Sequence, residues 1–84
     1  MAEPELESKP QESIDAIGLE CPEPVMLLHA TMRRLSPGQE LTLRATDPST
    51  ERDVPNFCEF LGHVLLTARR EGGEFFYRIR KAEK

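Results

Sequence analysis

The residues predict a two-layer α/β sandwich in the order β-α-β-α-β-β, with four strands forming one sheet and two helices on one face. Three observations carry this. The chain has 84 residues and 38% apolar side chains, which suits one small globular domain. Its hydrophobic period switches between two and 3.6 residues in that order. Two amphipathic helices can cover only one face of four strands, so the other face stays open.

The first strand is expected at Ile14–Ile17, ended by Gly18. Pro24–Leu35 reads as a helix, because Val25, Leu28, Met32 and Leu35 fall on one stripe. Pro24 suits its first turn, where a missing N–H costs nothing, and Ser36-Pro37-Gly38 stops it. In the strand Leu41–Thr46, Leu41, Leu43 and Ala45 face one way and Thr42, Arg44 and Thr46 the other. A second helix is expected over Glu51–Leu61, with Thr50 and Asp53 spaced as a capping box and Gly62 at its end. Pro55 either kinks this helix or marks a restart with Asp53 as N-cap. His63–Arg70 and Glu74–Lys81 are two strands joined at Gly72-Gly73, a hairpin signal. In the last strand Phe75, Tyr77 and Ile79 share one face, while Phe76, Arg78 and Arg80 share the other. Which strands pair parallel is not legible in these patterns.

Charge is unevenly spread. Glu3, Glu5, Glu7 and Glu12 against Lys9 make the start of the chain −3, out of a formal net charge of −4. Residues 1–12 are therefore expected to be a disordered acidic tail, and residues 13–82 the folded domain. A nearly neutral domain has no global attraction to nucleic acid. The longest apolar run, Val25-Met26-Leu27-Leu28, is far shorter than the roughly 20 residues of a membrane span. An acidic N-terminus without an apolar stretch does not resemble a signal peptide. Two cysteines, Cys21 and Cys58, make no disulfide framework. The expected location is cytoplasmic, with both cysteines as thiols.

The densest local signal is Gly18-Leu19-Glu20-Cys21-Pro22-Glu23-Pro24, at the junction of first strand and first helix. Pro22 disfavours the α region for Cys21, and the fixed φ of Pro22 and Pro24 stiffens the helix entry. A sulfur placed just before a helix N-terminus is favoured as thiolate, the nucleophilic form. Glu20 and Glu23 oppose its ionisation by like charge. A moderately activated thiol is expected, which suits a group that both accepts and releases sulfur. The competing reading, a cysteine buried for packing, fits this stiff junction less well.

No catalytic partner for Cys21 is evident. His29 lies eight residues further, roughly 12 Å along a helix. His63 follows Gly62 and is expected to be solvated or to cap the helix end. Cys58, near Val54, Phe57 and Leu61, reads as core packing rather than as a resolving thiol. A zinc site is disfavoured because there is no Cys-x-x-Cys element. No metal or cofactor is expected, and no machinery for hydrolysis is visible. Two other functions compete. One is RNA binding on the open face through Arg44, Arg78, Arg80 and Phe76. The other is a regulatory adaptor without sulfur chemistry.

Residues 18–26, with Cys-Pro-Glu-Pro at Cys21–Pro24, resemble the Cys-Pro-x-Pro signature of the TusA/SirA sulfur-carrier family. The stretch from Asp47 to His63 and the end Tyr77-Arg78-Ile79-Arg80-Lys81 resemble its TusA branch, so the likeness covers residues 14–81. It implies a two-layer sandwich, whose four-stranded sheet we take as mixed with two helices on one face. It also implies a persulfide carrier. Cys21 would take sulfur from a cysteine desulfurase and pass it to a downstream sulfur-relay acceptor protein. The best-known destination is 2-thiouridine in tRNA; relatives serve molybdenum-cofactor synthesis or sulfur oxidation. Glu23, Met26 and Arg33 are expected to dock partners, being near Cys21 or on the same helix. Direct nucleic-acid or membrane binding is not expected. Glu20 stands where the family also carries basic residues, which bears on partner choice.

Overall fold

In the computed structural model, which describes residues 10–82, the expected order holds: β1 (Glu12–Ala16), α1 (Glu23–Arg34), β2 (Glu40–Ala45), α2 (Thr50–Leu61), β3 (Val64–Glu71) and β4 (Glu74–Arg80). Of the expected tail, residues 1–9 lie outside the described residues. β1 starts two residues before Ile14 because the chain is already paired there. The Gln11 amide donates to the Glu40 carbonyl (2.8 Å), and Glu12 stands opposite Leu41. It stops at Ala16, since the Ile17 N–H turns to the Asp15 carboxylate (3.1 Å).

The sheet is mixed, with strand order β1-β2-β4-β3. β1 and β2 run parallel, which requires a crossover, and α1 supplies it. β4 is antiparallel to both β2 and β3. The last strand therefore lies between two strands that α2 connects. Gly72 and Gly73 both have positive φ (57° and 81°) at the β3–β4 turn, as a two-residue hairpin requires. β3 shifts register between Leu65 and Thr67 and is largely exposed.

The alternation sorts the sheet as expected. Ile14, Ala16, Leu41, Leu43, Ala45, Phe75, Tyr77 and Ile79 form one buried face. Leu28, Met32 and Leu35 from α1 and its end, and Val54, Phe57 and Cys58 from α2, cover it. Leu28, Leu41, Leu43, Ile79 and Val54 are fully buried, and each such side chain stabilises the fold by about 1.5–3 kcal/mol relative to exposure. Burial of Val54, Phe57 and Cys58 carries α2 unbroken through Pro55, so no restart at Asp53 occurs. The helix ends at Gly62 in the left-handed region, with the His63 amide donating to Cys58 O (2.9 Å).

The expected capping box does not form. Ser49 is the N-cap and is already in helical conformation, so the α2 backbone begins before Thr50 can cap it. Asp47 serves the helix start instead: its Oδ1 accepts the Ser49 N–H (3.0 Å) and its carbonyl accepts the Thr50 N–H (3.0 Å). The Thr50 hydroxyl turns inward, 2.8 Å from both Asp47 O and the Tyr77 hydroxyl.

On the open face the arginines have partners. Arg44 pairs with Glu74 (2.9 Å), Arg78 and Arg80 pair with Glu40 (2.7 and 3.6 Å), and Arg69 covers the Phe76 ring at 4.7 Å. With Glu71 also 3.0 Å from Arg69, three carboxylates face these four guanidiniums, and the single positive charge left over offers little to a phosphate backbone.

Candidate functional site

Parallel pairing brings the C-terminal ends of β1 and β2 to one edge, so the loops that follow them meet. Gly18 N–H donates to Thr46 Oγ1 (2.9 Å), and Cys21 N–H donates to Asp47 Oδ2 (2.6 Å). The Cys21–Pro22 peptide bond is cis, and the Glu23 amide donates to the Glu20 carbonyl (2.9 Å). Pro22 is the N-cap of α1, Glu23 opens it, and buried Pro24 sits in its first turn. Cys21 is therefore held at a helix start by loop closure on one side and by Asp47 on the other. It is exposed.

Asp47 is the hub of this junction. It accepts the Ser49 amide, the Cys21 amide and the Ser49 hydroxyl (2.9 Å), and these bonds hold its carboxyl below its ordinary range. The Cys21 thiol donates to Asp53 Oδ2 at 3.5 Å, and Asp53 Oδ1 accepts from Arg52 Nε at 3.0 Å. The Arg52 guanidinium is raised above its ordinary pKa, mainly by Asp53, with smaller contributions from Cys21 and Asp47. An open cleft of about 500 Å³ borders the sulfur, lined by Gly18, Leu19, Asp47, Pro48 and Ser49. A second, more apolar groove of about 330 Å³ runs between the helices past Pro22, Val25, Phe57 and Phe60.

The other expected positions sort as follows. Glu23, Met26 and Arg33 are all exposed on α1, and Met26 and Arg33 border one shallow surface with His29 and Ala30. Phe60 projects from α2 with 88% of its surface exposed. Cys58 is in the core, and burial pushes its thiol up to about 11. Among the described residues no group of three or more His, Cys, Asp or Glu is placed to hold a metal.

His63 departs from expectation. Its side chain neither caps the helix nor stands free: Nδ1 accepts the Ala82 amide (2.8 Å), and its ring lies 5.6 Å from Phe57. Burial, then Lys81 and His29, hold its pKa below the ordinary value. His29 packs edge-on against the same Phe57 at 4.8 Å.

Sequence reasoning missed Asp47, Arg52 and Asp53 as members of the Cys21 junction. Their signal was present in the acidic and capping residues between Asp47 and Asp53, but local spacing assigned those to a helix start. The partner 26 to 32 positions away in the chain becomes visible only when β1 and β2 pair.

A protein-family model described as Sulfurtransferase TusA matches residues 12–81. The chain belongs to the TusA family. The matched span contains both loops of the Cys21 junction and all six elements. A sulfur carrier protein TusA of Pseudomonas putida strain W619 is 56% identical over 72 residues, covering 86% of this chain and 90% of that protein. The protein of the same description from Pseudomonas aeruginosa strain PAO1 is 57% identical over 68 residues, covering 81% and 86% respectively. A crystal structure of a SirA-like protein from Desulfitobacterium hafniense shares the fold. It has a TM-score of 0.76 and 21% identity, and the match covers 87% of this chain and all of that one.

Proposed function

We propose that this TusA-family chain is a sulfur carrier that holds sulfur as a persulfide on Cys21. A cysteine desulfurase is the donor and a downstream sulfur-relay protein the acceptor. The destination is 2-thiolation of tRNA uridine. The observation that carries the reading is an exposed thiol at the start of α1, on a residue whose backbone N–H is held by the Asp47 carboxylate. Relatives of more than half identity are named sulfur carrier proteins, which supports the same role.

The chemistry needs little else. The Cys21 thiolate attacks the outer sulfur of the donor persulfide; a new S–S bond forms and the donor thiolate leaves with the old bond's electron pair. An acceptor thiolate then attacks the outer sulfur on Cys21 and regenerates the thiolate. Neither step changes the net redox state, and neither calls for a metal. Both require approach by another protein's cysteine, which the exposed junction permits. Exposed Glu23, Met26 and Arg33 are the proposed docking residues, on the helix that begins beside Cys21. Both cysteines are free, the state a reducing cytoplasm maintains. Among the described residues no helix is long and apolar enough to cross a membrane.

The test is intact mass spectrometry after incubation with a cysteine desulfurase and cysteine, without reductant. Wild type and Cys58→Ser should gain one sulfur atom and Cys21→Ser none. An adduct that survives in Cys21→Ser and vanishes in Cys58→Ser would overturn the assignment.

A further inference from the structure

One carboxylate joins the reactive sulfur to a guanidinium. Asp53 Oδ2 lies 3.5 Å from Cys21 Sγ, and Asp53 Oδ1 lies 3.0 Å from Arg52 Nε. The first contact needs a proton on sulfur, so it belongs to the unloaded thiol. Loading changes what stands there. A persulfide is a stronger acid than its parent thiol, so its outer sulfur carries negative charge about 2.05 Å beyond Sγ. Asp53 then has no proton to accept and faces an anion.

Among the described residues, the charged groups at this sulfur are Glu20 and Glu23 beside it in the chain, Asp47 from the β2–α2 loop, and Arg52 and Asp53 from α2. Of these five, only Arg52 is positive. Its side chain is 69% exposed, against 22% for Asp53, so the guanidinium has room to move while the carboxylate stays in place. The sulfur also contributes to the electrostatic environment of Arg52.

Resting on the persulfide reading of Cys21, we propose that Arg52 pairs with the charged outer sulfur of the loaded carrier, exchanging its contact with Asp53, which holds the proton of the unloaded thiol. The pair would thereby distinguish empty from loaded Cys21 at the surface a partner meets.

The experiment loads the full chain with inorganic polysulfide, so that no desulfurase is needed. The Cys21 thiolate attacks a terminal sulfur, one S–S bond forms as the next one breaks, and the electron pair leaves on the shortened polysulfide dianion. The thiol proton goes to buffer. After removal of excess polysulfide, the rate of persulfide alkylation by iodoacetamide is followed against pH by intact mass at low salt. Arg52→Gln should move the profile's midpoint upward by about half a pH unit, making alkylation about threefold slower below the midpoint, the size of an exposed ion pair. Arg52→Lys should stay near wild type, and Asp53→Asn should move the midpoint the opposite way. Melting temperatures of the same samples report folding. Superimposed profiles for wild type and Arg52→Gln, or a downward shift in Arg52→Gln, would overturn the inference and leave the carrier reading standing. Failure of the desulfurase to load Cys21 in the earlier test would overturn the carrier reading, while this measurement would still decide the role of Arg52.

Discussion

Replacing Thr50 by valine removes one buried hydroxyl beneath the Cys21 junction, and the consequences can be worked from its contacts. Thr50 is 1% exposed and Tyr77 4%. The Thr50 hydroxyl has one hydrogen, and it goes to the Asp47 carbonyl at 2.8 Å. The Tyr77 hydroxyl, also 2.8 Å away, is therefore the donor to Thr50 Oγ1. Thr50→Val strands that phenol as a buried donor with no partner, a cost of about 1–3 kcal/mol. Tyr77→Phe removes the donor and leaves Thr50 its bond to Asp47, a cost of about 1 kcal/mol. In the double variant no polar group is stranded, so its cost should fall below the sum of the two by about 1 kcal/mol. Urea unfolding followed by circular dichroism, with an unchanged slope across the four proteins, measures this cycle. For a domain of this size each kcal/mol also moves the melting temperature by about 4–8 °C. Additive costs, or a Tyr77→Phe variant less stable than Thr50→Val, would refute the donor assignment.

Burial of Cys58 and His63 gives stability two pH dependences. Cys58 is raised from 9.0 to about 11 by burial, so the folded state resists its ionisation. The stability this represents is complete below about pH 9 and is lost as pH rises through about 11, amounting to about 2–3 kcal/mol. Cys58→Ala should flatten the loss of stability between pH 9 and 10, seen in thermal melts; an equally steep loss would exclude Cys58 as its source. His63 is lowered from 6.5 by burial and by Lys81 and His29, and its Nδ1 must stay unprotonated to accept the Ala82 amide. Its contribution is present above 6.5 and lost as pH falls through the depressed value. Melts of wild type and His63→Gln from pH 7 to 5 check this, with the variant losing less stability on acidification.

Much of the architecture was legible because it depends on neighbours in the chain. Leu41, Leu43 and Ala45 are buried as their alternation required, and Leu28, Met32 and Leu35 form the inward stripe of α1. Gly62 ends α2 because its left-handed φ of 79° is costly for other residues. Cys21 was marked by its junction and two prolines, and it is exposed there. The reading erred where local chemistry competed with distant partners. Thr50 and Asp53 have the spacing of a cap, yet Tyr77 and Cys21 claim their side chains. His63 follows a helix-ending glycine, yet the segment after β4 brings the Ala82 amide to its imidazole.

Residue order alone thus determined the elements, the inward and outward faces of each strand, and the place of Cys21 at the junction of β1 and α1. Periodicity, proline and glycine act within a few residues, so they are written in the chain. Only the tertiary structure decided that β4 enters between β2 and β3, that Asp47 and Asp53 bond Cys21, and that Arg52 reaches the junction through Asp53. Those contacts span tens of residues and exist only once parallel pairing of β1 and β2 has brought two loops to the same edge.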